Sequence, residues 1–141
     1  MSYSGKKKRC TKKTLLVVNK ATKQIICTAF NGGRKHDFKV YKESKIHVSP
    51  KTLGITDSGF VGIDKIHPNS LLPLKKTKKR PLSEQDKYYN RVISMLRVAN
   101  ENVIASIKKF RIISEKYRNR GRRFGLRFNL ICGIYNYELV N

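Results

Sequence analysis

Acidic residues are scarce: nine Asp and Glu stand against 32 Lys and Arg, a formal net charge of +23 over 141 residues. A compact chain with that excess repels itself unless a polyanion lies against it, and the polyanion to expect is nucleic acid. Cysteine is scarce too. Cys10, Cys27 and Cys132 are odd in number, far apart and form no Cys-x-x-Cys pair, which argues against a disulfide framework and a zinc site and suits a reducing compartment. Long apolar runs are missing, none approaching the roughly 20 residues that span a bilayer. Residues 1–5 lead into lysines with no apolar segment suited to a signal peptide. These gaps point to a soluble, intracellular chain, cytoplasmic and nucleoid-associated, with no membrane partner.

What is present is a folded protein. Hydrophobic residues make up 39% of the chain and recur with period, which excludes disorder along its whole length. At this size one domain with a single core is expected, burying roughly two-thirds of the unfolded chain's surface. Residues 1–13 are polar and basic and read as an arm, or the end of a loop, ahead of a domain at 14–141. The β-favouring runs 14–19 and 24–30 flank a four-residue connection suited to a hairpin, so an antiparallel pair is predicted.

Residues 36–45 carry Phe38, Val40 and Tyr41, with Ile46 beyond, at spacings that suit a short helix. Residues 51–56 read as a brief buried strand that Asp57-Ser58-Gly59 ends. Three prolines, Pro68, Pro73 and Pro81, and the run Lys75-Lys76-Thr77-Lys78-Lys79-Arg80 make 61–86 a loop or mobile basic lobe. Ser83 is the expected N-cap of a long helix, with Glu84 and Asp86 in its first turn. Its apolar stripe reads Val92, Leu96, Ala99, Val103, Ile107, Phe110. A second helix is predicted over residues 123–139, although Gly125 and Gly133 weigh against it.

Two acids stand apart among the cations. Asp57 follows a strand and either bonds the backbone of its own turn, as Asx residues do, or offers a metal ligand at a sheet edge, where α/β proteins bind ligands. Glu101 falls on the polar side of the long helix. It either pairs with Arg97, four residues earlier, or faces a phosphate across a divalent cation. Asp64 and His67 have no spacing partner and are expected in a solvated loop. The run 75–80, together with the basic stretch 108–123, suggests a surface that contacts phosphates.

The linear order of motifs is more specific than any one of them. The chain reads Gly33-Arg34-Lys35-His36-Asp37, then Ile55-Thr56-Asp57-Ser58-Gly59-Phe60-x-Gly62-Ile63, then Arg97-x-x-Asn100-Glu101-Asn102-Val103-Ile104-x-x-x-Lys108-x-Phe110-Arg111. It ends Tyr117-Arg118-Asn119-Arg120-x-Arg122-x-x-Gly125-Leu126-Arg127-x-Asn129-Leu130-x-x-Gly133-Ile134-Tyr135-Asn136. From about residue 3 to 139 it resembles the catalytic domain of DDE-type transposases of bacterial insertion sequences, in the Harbinger-related branch.

The resemblance implies an α/β, ribonuclease-H-like fold in which two Asp and a Glu bind two divalent ions, Mg2+ or Mn2+, for DNA strand cleavage and transfer. Asp57 then corresponds to the second Asp, in an Asp-x-Gly-aromatic turn, and Glu101 to the Glu. Lys108 and Arg111 are expected to follow Glu101 on the same helix and meet DNA, with Lys75, Lys76, Lys78, Lys79, Arg80 and Arg97 as further contacts. His36-Asp37 resembles the family's His-Asp pair, or is a polar cluster at a helix start. No residue matches the family's first Asp, which lies on the first, central strand, and Cys10 stands where relatives carry a His. The chain is thus expected to be the C-terminal part of such a transposase, inactive alone, with DNA, an upstream transposase segment or a second copy of itself as partners. The rival is a small basic nucleic-acid-binding protein without catalysis.

Overall fold

The computed structural model describes residues 2–4, 9–77, 80–115 and 123–141. In chain order these form β1 (Ser2–Ser4), β2 (Arg9–Val18), β3 (Ile25–Gly32), α1 (Asp37–Glu43), β4 (Gly54–Ile55), β5 (Ser70–Leu71), α2 (Glu84–Lys108), α3 (Arg111–Ser114) and α4 (Phe124–Glu138). Single 3-10 turns lie at Ser58–Phe60 and Ile63–Lys65. The result is a mixed α/β protein with small sheets. It divides into two units, one of Met1–Lys35 with Ala99–Asn141 and one of His36–Val98. Helix α2 begins in the second unit and ends in the first. Among the described residues no helix is long and apolar enough to cross a membrane.

In the first unit the predicted hairpin is present: β1, β2 and β3 form an antiparallel sheet in that order. Its turn is built by Asn19, whose side-chain oxygen accepts from the Ala21 and Thr22 amides at 2.9 and 3.2 Å. Lys23, at φ 61, reverses the chain. Strand β2 begins at Arg9 and not at Thr14, so the basic stretch before Thr14 is strand and not arm from Arg9 onward. Lys12 pairs with Gly32 and Lys13 with Asn31. Backbone pairing needs no apolar side chain, and the lysines find other uses. Lys13 Nζ donates to the Lys35 carbonyl at 2.6 Å, and Lys12 Nζ lies 5.8 Å over the Phe124 ring.

Helix α4 lies on β3. Phe30, Phe124 and Phe128 meet edge to face or tilted, with centroids 5.4 to 5.9 Å apart, around a core of Ile25, Val103, Ile107, Phe128, Ile131 and Cys132. Gly125 makes this approach possible, since a Cβ there would sit 3.2 Å from Phe30 ring carbons. The glycine that weakens the sequence case for a helix is what lets the helix dock. Asn136 then pins the start of β3, its side-chain amide bonding both the N–H and the C=O of Ile25 at 2.8 and 2.9 Å. Burial pushes the Cys132 thiol up to about 11, so this cysteine acts as a core residue.

Helix α2 opens on a reciprocal cap. The Asp86 amide donates to Ser83 Oγ at 3.1 Å and the Ser83 amide donates to Asp86 Oδ2 at 3.0 Å. The bond from the Ser83 amide, then the Ser83 hydroxyl and the nearby Arg80, hold the Asp86 carboxyl below its ordinary value. Because the folded-state value is depressed, Asp86's contribution is complete above the ordinary carboxyl range and is lost as pH falls through the folded value. Ser83→Ala is expected to cost about 1 kcal/mol in urea melts near neutral pH, as a lost N-cap does, and less once the pH has fallen through the folded-state value of Asp86. An equal cost at both pH values would show that the cap is not coupled to Asp86 ionisation.

Further along, α2 buries Ile93, Val103 and Ile107, each 2% exposed or less, while Val92 is 37% exposed. The stripe therefore enters through Ile93, one residue later than the sequence suggests. The helix ends at Lys108, and Phe110, with extended backbone, precedes α3. Arg111 thus opens a new helix and does not share that of Glu101.

In the second unit, β4 and β5 form a two-stranded parallel sheet, Gly54 opposite Ser70 and Ile55 opposite Leu71. The stretch 61–86 accordingly holds a strand and a helical turn, and is not one loop. His67 anchors it. It is 5% exposed, with Nδ1 2.9 Å from Ser70 Oγ and Nε2 3.1 Å from the Ser49 carbonyl. This corrects the expectation of a solvated His67, whose two ring nitrogens are satisfied indoors. Asp64 is exposed, as expected.

Candidate active site

Asp57 is placed by β4. The Thr56 amide donates to the Leu71 carbonyl at 3.0 Å, the last ladder bond before the chain turns. Asp57 then caps the turn Ser58–Phe60, its Oδ1 accepting from the Gly59 amide at 2.7 Å. The Asx-turn reading is thus realised, and it fixes the carboxylate at the end of a strand.

Gly59 reveals a second carboxylate. A Cβ at Gly59 would lie 2.5 Å from Asp37 Oδ2 and 2.9 Å from Asp57 Oδ1. The two carboxylates therefore crowd the α-carbon of residue 59, an approach that only a residue without a side chain allows. Asp37 is the first residue of α1, with His36 extended before it. The sequence offered the His36-Asp37 pair only as a helix start or a family likeness. What it could not show is the approach to Asp57, twenty positions on, which depends on how α1 packs against the turn. Tyr41 meets Phe60 edge to face at 6.4 Å in that packing. Within residues 36–98, no third His, Cys, Asp or Glu joins this pair as a metal-holding group among the described residues.

Glu101 stands in the other unit. It is exposed on α2, a helix that buries Val103 and Ile107, so it lies on the polar side as the sequence suggests. Beside it, Asn100 Oδ1 is buried with no hydrogen-bond partner among the described residues, an atom that burial ordinarily requires to be satisfied. Of the expected DNA contacts, Lys75, Lys76, Arg80, Lys108 and Arg111 are exposed and Arg97 is half-buried. Lys78 and Lys79 lie outside the described residues. Arg80 reaches Asp86 at 3.9 Å and Arg111 reaches Glu115 at 3.8 Å, long pairs in which both arginines stay exposed and open to exchange with phosphate.

A sequence profile of the DDE superfamily endonucleases matches residues 1–136. The chain belongs to this family. The probable transposase for insertion sequence element IS702 of Microchaete diplosiphon is 49% identical to it over 138 residues, covering 98% of this chain and 50% of that protein. The chain therefore spans about half the length of this relative. No solved structure matches it.

DDE superfamily endonucleases depend on a divalent metal. The residues here suit such an ion. Carboxylate oxygens are the hard donors that Mg2+ and Mn2+ take, and Asp37 and Asp57 bring two carboxylates together beside Gly59.

Proposed function

We propose that this chain is part of the ribonuclease-H-like catalytic domain of an insertion-sequence transposase, residues 14–141 behind a basic segment at 1–13, acting on DNA with Mg2+ or Mn2+. The observation that carries the proposal is Asp57 itself: in a chain of this family, a carboxylate at a strand end, locked by the Gly59 amide beside a second carboxylate. Asp57 and Glu101 are the metal ligands of this reading. Bound there, divalent ions supply activation of the attacking water or 3′-hydroxyl and stabilisation of the leaving oxygen.

The chain's own part is positional. Asp57 commits Oδ1 to the turn, which leaves Oδ2 as the donor it would offer a metal, and the missing side chain at Gly59 lets Asp37 stand close by. Lys75, Lys76, Lys78, Lys79, Arg80, Arg97, Lys108 and Arg111 neutralise phosphates along the DNA. With two of the family's three carboxylates among its residues, the chain alone is catalytically silent.

Asparagine separates the two roles of residue 57. Asp57→Asn keeps an oxygen for the Gly59 amide and so keeps the turn, but it removes the charge a metal needs. In calorimetric titration with Mn2+, Asp57→Asn and Glu101→Gln should each weaken binding at least about ten-fold, while the melting temperature of Asp57→Asn stays at the wild-type value. Unchanged Mn2+ affinity in both variants would return the chain to a basic binding protein in which Asp57 merely shapes a turn.

A further inference from the structure

Residues 36–98 also enclose an open cleft of about 600 Å³ that neither the family match nor the two proposed ligands account for. Lys39 and Lys42 of α1 line it, Lys75 lines it from the chain after β5, and Ser58 and Gly59 contribute the turn that Asp57 caps. Glu43 is the carboxylate in this lining, so the cleft has an excess of positive charge.

The cations are held by built structure. Lys42 Nζ lies 4.7 Å over the Phe38 ring, an arrangement that orients an ammonium group. Phe38 is braced in turn by Gly62, which takes φ 93 and where a Cβ would come within 3.2 Å of the ring. Lys75 follows Leu74, whose N–H and C=O both bond the Asn90 side chain of α2 at 2.7 and 2.9 Å. Exposed ammonium groups therefore stand on anchored backbone around a cleft that runs to Gly59, the residue that Asp37 and Asp57 both crowd. Positive charge along a cleft with carboxylates near one end suits a phosphodiester chain, whose phosphates would rest on the lysines beside a divalent cation that Asp57 would help to hold.

Resting on the reading that the chain acts on DNA, we infer that this cleft seats the backbone of a DNA strand next to Asp57, with Lys39, Lys42 and Lys75 as its phosphate contacts. Lys39 and Lys42 thereby join the DNA-contacting set. Lys75 is distinguished within the basic run 75–80 as the residue that lines the approach to the site.

The test is fluorescence anisotropy of the whole chain with labelled duplex DNA over a range of salt, in EDTA so that metal binding plays no part. The variant Lys39→Gln/Lys42→Gln/Lys75→Gln is compared with Lys20→Gln/Lys51→Gln/Lys65→Gln, three exposed lysines elsewhere whose loss lowers net charge equally. The cleft variant should lose about ten-fold or more in affinity, and its log–log salt slope should shrink by roughly 2–3, at about 0.9 per phosphate contact. The control should keep its slope within about half a unit. Glu43→Gln, which removes the opposing charge, should tighten binding and keeps the test open if the triple variant melts early. Equal losses from both triple variants, or no gain from Glu43→Gln, would overturn the cleft as a binding site. The Mn2+ titrations of Asp57→Asn report on the metal reading alone, so either reading can fail while the other stands.

Discussion

Joined to the half of the IS702 transposase that the match does not cover, the chain should cleave DNA in Mg2+ or Mn2+, whereas the 141 residues alone should not. In the joined protein, Asp57→Asn and Glu101→Gln should each remove cleavage. The loss should exceed the roughly 10–100-fold that follows from losing a mere outer-shell partner of a metal. The expectation follows from counting donors. A two-ion clamp on attacking and leaving oxygens needs a carboxylate that bridges the ions, and the proposed set within this chain supplies Asp57 and Glu101 only. Asp64→Asn, on an exposed turn, is the matched control and should leave cleavage intact. Cleavage by the chain alone, abolished by Asp57→Ala, would show that its own carboxylates suffice. Full cleavage by the joined Asp57→Asn protein would show that Asp57 is there for its turn.

How far this could be read from sequence varies by element, for identifiable reasons. The hairpin and the two long helices announce themselves locally. Short β-favouring runs flank a polar turn, Ser83 and Asp86 mark a helix start, and apolar residues recur every three or four positions. The phase of α2 is less legible. Val92 and Ile93 are neighbours of equal hydrophobicity, and what buries one and exposes the other is packing, which no local pattern encodes. Strand β5 has two residues in a proline-rich stretch, too short for any period, and exists because Ile55 and Thr56 offer it a ladder and His67 holds its start. The basic beginning of β2 is invisible for a related reason: its pairing is backbone to backbone, and its lysines look like an arm.

The site divides along the same line. Asp57 as a turn residue follows from three consecutive residues, and the structure contains that turn. The second carboxylate of Asp37 could not be inferred from spacing, because its place depends on α1 packing against the turn. Gly59 is the point where the two meet. Its importance lies in an absent atom, which no count of functional side chains would find.

Phe128→Ala should remove about 3–5 kcal/mol of stability, a large share of the 5–15 kcal/mol that holds a typical domain together. Phe128 is 5% exposed and completes an aromatic trio, 5.4 Å from Phe30 and 5.9 Å from Phe124 between ring centroids. Truncating it loses both the transfer energy of the ring and the contacts of its neighbours. Collapse into the space is hindered, because Phe30 is already pressed to 3.2 Å of where a Cβ on Gly125 would sit. The Phe30 ring of β3 is therefore wedged against α4 at Gly125 and Phe128. The same wedge predicts that Gly125→Ala, an exchange that ordinarily strengthens a helix by close to 1 kcal/mol, is here neutral or destabilising. Urea denaturation followed by circular dichroism reads both effects, with Val140→Ala, at a position 73% exposed, as the reference for a neutral change. A loss below about 1 kcal/mol for Phe128→Ala, or a gain for Gly125→Ala, would mean that α4 does not bear on β3 through these rings.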